Sequence, residues 1–349
     1  MDIGTEIDID PSCKTTDSQC YTELDREEAH KFFFRVLYLN EIPGAMDKMG
    51  WPVAAKMMRQ WFSNPQWEMP DAERDGKFDC KKWEQEHPAQ INEITKVEKL
   101  GNIDYEKLAK KYPARINDSI IKMQWALDYP PVESVFNDFI ETWDTPKGIA
   151  TLWDRLRSDG WKPGKPSHQF GDQSQPAKVQ DTKYQINYRE IGSIWDTFDD
   201  FFGAINKATL KITVTGEAFC HNGRDFFRPD KIGVYLRDTY DFNSGWWTDH
   251  TIGLGVWSKD RVLPPLESAG FLEMKLVALT SPVVYLLFLK KYGGFVHVEN
   301  KDFYRWAEKH GTGGDFYVFS DVFWTESSLS GKAIELRPPS AAKLNASCE

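Results

Sequence analysis

The sequence predicts an α+β protein, with a mainly helical N-terminal domain followed by a domain built on an antiparallel, barrel-like sheet. Three observations predict it. Apolar residues recur at helical spacing up to about residue 160. A stretch rich in proline, glycine, serine and glutamine fills residues 161–180. Beyond it, short runs of β-branched and aromatic residues alternate with polar ones.

Residues 1–24 are polar and rich in Asp, Thr and Ser, the composition of a tail that buries too little apolar surface to order itself. Residues 32–39 (Phe-Phe-Phe-Arg-Val-Leu-Tyr-Leu) suit a strand or a buried helix, and periodicity does not choose between them. Pro52 opens a run in which Val53, Ala54, Met57, Met58, Trp61 and Phe62 share a helical face, and Asn64-Pro65 ends it. Ser119 to Leu127 and Val132 to Trp143 read as two further helices separated by Tyr129-Pro130-Pro131. Thr145 and Pro146 then make a cap and first-turn pair, Ile149, Leu152, Trp153 and Leu156 form the apolar stripe, and Gly160 is the stop. Residues 25–160 are therefore expected as a helical domain. With three prolines, residues 161–180 are expected as a linker.

Residues 181–338 carry the sheet grammar. Thr209 to Thr215 alternates, Gly233 to Tyr240 is β-rich, and Phe316 to Thr325 reads as strand, with helices expected near 193–204 and 282–291. The run Pro282 to Leu289 is too short to span a bilayer and ends in Lys290-Lys291-Tyr292-Gly293, so it is expected as a buried helix stopped by glycine. Residues 339–349 form a short C-terminal tail.

With 41% hydrophobic residues, 349 residues suffice for the cores of one large domain or two ordinary ones. Lys and Arg number 43 against 53 Asp and Glu, and the net charge of -10 provides no long-range field towards nucleic acid or anionic lipid. The five cysteines are odd in number and lack metal-ligand spacing, which argues against a disulfide framework and a zinc site. The start, Met1-Asp2-Ile3-Gly4-Thr5-Glu6, lacks the basic and apolar regions of a secretory signal, so work outside the producing cell is expected to need another export machine.

The chemistry concentrates in Tyr235-Leu236-Arg237-Asp238-Thr239-Tyr240-Asp241-Phe242-Asn243-Ser244, followed by His250. On a strand Asp238 and Tyr240 share a face, and the turn-forming residues after Tyr240 are suited to swing Asp241 round to join them. Two carboxylates of this kind suit Mg²⁺ together with phosphate oxygens, His250 suits acid or base work near neutral pH, and the Tyr240 phenol suits donation to a developing charge. The plainer reading is a good turn flanked by solvated acids. Among other candidates, His221-Asn222-Gly223 reads as a turn, Val296-His297-Val298 as a half-buried strand position, and Cys220 as an inert thiol. No phosphate loop, zincin helix or nucleophile elbow occurs.

At Asp238-Thr239-Tyr240-Asp241-Phe242-Asn243 the chain resembles the activity domain of colicin M and related lipid II-degrading bacteriocins, whose signature is Asp-x-Tyr-Asp-Phe-Asn followed shortly by His-Arg. The likeness extends to Leu210 through Gly216 and to Phe316 through Glu326 in the same order. It implies an open, helix-decorated β-barrel and a metal-dependent phosphodiesterase, with Mg²⁺ on Asp238 and Asp241 and a site of Asp238, Tyr240, Asp241 and His250. This chain departs at two places: the turn before His250 is longer, and Thr251 replaces the arginine. Arg237, Lys259 or Arg261 are the nearby cations that could contact phosphate instead.

The N-terminal half is unlike the receptor-binding parts of those bacteriocins. Glu41 to Met46 and Met49 to Ala55, with Leu254-Gly255-Val256-Trp257, resemble an uncharacterised Gram-negative family often encoded beside type VI secretion genes. The two resemblances together imply an antibacterial effector that hydrolyses lipid II in a rival's periplasm, with a type VI secretion spike component and a cognate immunity protein as partners. A non-catalytic adaptor of a secretion apparatus is the alternative, motivated by Thr251. A nuclease or phospholipase fits less well, given the acidic charge and the absent serine elbow.

Overall fold

The ends of β4 (Ala208–His221) and β5 (Arg224–Tyr240), long strands joined by a two-residue turn, fix where the motif sits. The computed structural model describes residues 37–74, 76, 85, 102–192, 198–205, 207–242, 254–329 and 331–338. The expected tails and residues 32–36 and 193–197 lie outside these. About 44% helix and 25% strand make the chain mixed α and β, as expected.

The strands are β1 (Ile116–Asn117), β2 (His168–Phe170), β3 (Gln185–Ile191), β4 (Ala208–His221), β5 (Arg224–Tyr240), β6 (Gly255–Trp257), β7 (Val296–Val298), β8 (Phe316–Phe319), β9 (Phe323–Glu326) and β10 (Ile334–Glu335). Asn222 (φ 50°) and Gly223 (φ 74°) both adopt positive φ between β4 and β5, as the tightest hairpin turns demand. The main sheet runs β1-β8-β5-β4-β2, with β3 also on β4 and β9 and β10 also on β5. Because β4 and β5 are 14 and 17 residues long, each takes different partners along its length, and the accumulated twist curls the sheet into a half-barrel. All pairings in this sheet are antiparallel except that of β1 with β8.

A bulge between Thr215 and Gly216 bends the hairpin. Any Cβ at Gly216 would collide with the Arg228 carbonyl oxygen and lie 2.8 Å from the Phe227 ring. Gly216→Ala is expected to cost about 2–3 kcal/mol, read from the urea midpoint at unchanged slope.

The chain forms two compact units, one of residues 67–241 with 314 onward, the other of residues up to 66 with 242–313. This division differs from a boundary at 161–180. The expected linker carries β2 and the start of the Ala177–Lys183 helix, and Trp161, Phe170 and Ala177 are all buried. Proline content reports where backbone hydrogen bonding is interrupted, not whether the neighbouring side chains pack.

In the sheet unit, the Thr145 hydroxyl caps the Pro146–Ser158 helix by accepting from Gly148 N at 3.0 Å. That helix is tied to β3 through Asn187, whose side-chain amide donates to the Trp143 carbonyl (3.1 Å) and Thr145 Oγ1 (3.0 Å). The helix expected from Ser119 begins only at Met123, because Asn117 Oδ1 accepts from the backbone of Ser119 and Ile120 and folds that stretch into a turn. Pro130 and Pro131 open the next helix (Pro130–Glu141) instead of merely separating two.

In the other unit, the expected Pro52–Ser63 helix is present and directs Trp61 into an aromatic cluster. Phe242 and Phe303 stack there at 3.8 Å, each edge-on to Trp61. The helices Pro265–Ala278 and Pro282–Tyr292 close over Val256 and Leu263. The second was expected to be buried, and it is not: Val283 is 67% and Leu287 55% exposed.

Candidate active site

β5 delivers the motif. Its last residues pair with β8, Arg237 opposite Phe319, Asp238 opposite Val318 and Tyr240 opposite Phe316. Strand alternation separates them onto two faces, Asp238 and Tyr240 on one, Tyr235 and Arg237 on the other. On the first face the Tyr240 ring stacks on Phe316 at 5.2 Å, and burial raises its hydroxyl pKa, so it stays a proton donor.

Asp238 retains some surface exposure, yet its carboxyl is held well above the usual carboxylate range. Burial is the main cause, and the nearby negative charge of Asp241 adds to it, against the opposing pull of the Thr239 backbone N–H and of Arg237. Asp241 is almost wholly enclosed and faces Arg74 in an ion pair at 3.4 Å. The two carboxylates thus sit in different environments, Asp238 with its pKa raised chiefly by burial and Asp241 paired with a cation.

His250 and Thr251 lie outside the described residues, as do Asn243 and Ser244. Each of the expected substrate cations has a partner of its own. Lys259 pairs with Glu41 at 3.1 Å in the unit of residues 242–313, where Arg261 pairs with Glu267 at 3.5 Å. Arg237 points into the interior on the opposite face of β5. Arg74, which no local pattern marked, is the cation beside the motif.

The interior face of β5 holds a second polar group that the sequence reading missed. Asp181, on the Ala177–Lys183 helix, accepts from the Tyr235 hydroxyl at 2.7 Å and pairs with Lys211 of β4 at 2.7 Å. Burial opposes its charge, but Lys211 and Arg237 outweigh it and hold its pKa low. Arg237 donates to the Tyr105 hydroxyl at 3.2 Å, and burial pushes that phenol up to about 12. Arg155 completes the layer by donating to the carbonyls of Gln185 and Asp181. This layer fastens helix to sheet beneath the motif.

Among the described residues no group of three or more His, Cys, Asp or Glu is placed to hold a metal. By type alone, Asp238 and Asp241 carry the hard oxygen donors that Mg²⁺ takes together with water. Of the competing residues, His297 is a partly buried strand position whose pKa is lowered by burial, His221 lies exposed at the turn, and Cys220 is a partly buried thiol of β4.

A match to the family of unknown function DUF6402 covers residues 37–100 and 81–333. The chain belongs to this family. Its match takes in the whole of β5 and most of both compact units, so the motif, the sheet up to β9 and the helical hairpin all lie within what the DUF6402 model describes. No curated protein and no solved structure matches.

Proposed function

We propose that the chain is an antibacterial effector whose half-barrel hydrolyses lipid II between undecaprenyl and pyrophosphate. The observation that carries the reading is the pair of carboxylates at the end of β5, Asp238 with its pKa raised by burial and Asp241 paired with Arg74, within the run that resembles colicin M. Two carboxylates whose environments drive them apart are suited to separate roles in one reaction.

In this reading water attacks the phosphorus next to the lipid and the P–O bond to undecaprenol breaks. Protonated Asp238 donates to the departing alkoxide, which leaves as undecaprenol. His250, by the resemblance, takes the proton of the attacking water, and the Tyr240 hydroxyl is a donor for the charge on the phosphoryl oxygens. Arg74 holds Asp241 and supplies the positive charge that Thr251 lacks. Mg²⁺, held by Asp241 and water so that Asp238 keeps its proton, would neutralise phosphate charge when bound.

Purified protein with Mg²⁺ is expected to convert lipid II to undecaprenol and the pyrophosphate-linked muropeptide. Intact lipid II beside an active control overturns the reading. Delivery by type VI secretion into a rival's periplasm and protection by an immunity protein belong to the same proposal: exported protein should lyse cells that cytoplasmic protein leaves unharmed.

Thr251 favours a second reading, a non-catalytic adaptor of the secretion apparatus in which the Arg74–Asp241 pair is structural. An adaptor is harmless in both compartments.

A further inference from the structure

The helices Pro265–Ala278 and Pro282–Tyr292 form a hairpin joined by Leu279-Thr280-Ser281. Its inner side is satisfied, with Phe271, Phe288 and Tyr292 in mutual ring contact at 5.1–5.6 Å. Its outer side and tip are not: Leu276 is 69%, Leu279 79%, Val283 67% and Leu286 45% exposed. Exposed apolar side chains clustered in this way mark an interaction surface, where single scattered ones do not.

Val283, Leu286 and Leu287 lie at i, i+3 and i+4 on one face of the second helix, and Leu279 and Leu276 continue the exposed apolar surface over the tip onto the first. Charge selects the kind of partner. No acidic residue occurs from Met274 to Val298, while Lys275, Lys290 and Lys291 are exposed there, a local reversal in a chain of net charge -10. Lys290 and Lys291 end the second helix, about 12 Å of rise from its start, where flexible stems can place ammonium groups among phosphates as the tip goes deeper. The eleven-residue second helix is about 17 Å long against a hydrocarbon core of about 30 Å, so the hairpin reaches into one leaflet without crossing.

We propose that this hairpin inserts tip-first into one leaflet of an anionic phospholipid bilayer, with Lys290 and Lys291 at the headgroups. The insertion is independent of lipid II hydrolysis and is tested without that substrate. The full chain is sedimented with vesicles of phosphatidylglycerol and phosphatidylcholine, and with phosphatidylcholine alone. Binding to the anionic vesicles is expected. It should fall about a hundredfold in the Leu279→Asp/Leu286→Asp variant, and about tenfold, with loss of lipid-charge dependence, in Lys290→Gln/Lys291→Gln. Leu279→Ser/Leu286→Ser, whose fold is checked by circular dichroism, repeats the first comparison should the aspartates disturb folding. Failure to sediment with anionic vesicles overturns the proposal, as does binding that both tip variants leave intact. A wild-type dimer that the tip variants convert to monomer, without vesicle binding, assigns the surface to a second copy of the chain and overturns it equally.

Discussion

Asp238→Asn is expected to abolish lipid II hydrolysis and, at the same time, to raise the unfolding midpoint at neutral pH. The first effect follows from losing the proton that the leaving alkoxide needs, a loss of about 10²–10⁴-fold for a positioned acid. The second follows from the direction of the Asp238 shift. Its folded pKa is raised above the unfolded value, chiefly by burial, so the folded state binds the extra proton. Its contribution to stability is complete below the unfolded pKa of about 4 and is lost as pH rises towards the folded value. Asparagine carries no such liability, so the advantage of the variant should be small in acid and widen towards neutrality. Thermal unfolding across pH 4–8 beside product analysis checks both halves. Retained turnover removes Asp238 from the chemistry, and a stability difference that does not vary with pH removes the raised pKa. A gain in stability with a loss of function is what a strained active-site group produces, whereas a purely structural residue loses stability when replaced.

Asp181→Ala is expected to have the opposite stability effect and a larger one. It removes the buried anion that faces Lys211 and Tyr235 and interacts with Arg237, leaving cations in a poorly solvated layer. Breaking a buried pair from one side costs about 3–5 kcal/mol. The folded pKa of Asp181 is depressed, so its contribution is present above the unfolded pKa of about 4 and is lost as pH falls through the folded value. Urea unfolding at pH 7 gives the cost. Adding Lys211→Met should recover part of it, because the stranded ammonium goes too, and a double-mutant cycle with no coupling would falsify the paired-charge account.

The helices were legible where their signals are local. Thr145 with Pro146, and Pro52 with its apolar stripe, declare their starts within a few residues. Parts of β4 (Thr209–Thr215) and β5 (Gly233–Tyr240), the Phe316–Thr325 stretch and the Asn222-Gly223 turn were legible for the same reason, whereas β1, β2, β3 and β10 were not. The run from Pro282 misled because an apolar run without periodicity is usually buried, and nothing within it says that its outer side lacks a cover. Lys211 shows a different limit. In Thr209-Leu210-Lys211-Ile212-Thr213 the alternating polar positions look like a solvent face. The Ala177–Lys183 helix covers that face instead, with Gln180 accepting from Thr213 at 2.8 Å and Asp181 pairing with Lys211. Of the candidate site, the Asp238–Asp241 segment could be read directly. Arg74 could not, because its pairing with Asp241 depends on tertiary contact and leaves no periodic trace.

The chain leaves the sheet unit after Asp241 and re-enters it at Gly314, and the last turns of β5 gain a neighbour only when β8 arrives. The β4–β5 hairpin, closed by two residues, can zip as soon as it is made. The pairing of Tyr240 with Phe316 must instead close a loop that contains residues 242–313 of the other unit, at an entropic cost on the order of 4 kcal/mol. During synthesis the carboxylates of the motif therefore hang at an open strand end until most of the chain exists, and their burial, with the protonation that follows from it, is among the last things the fold acquires.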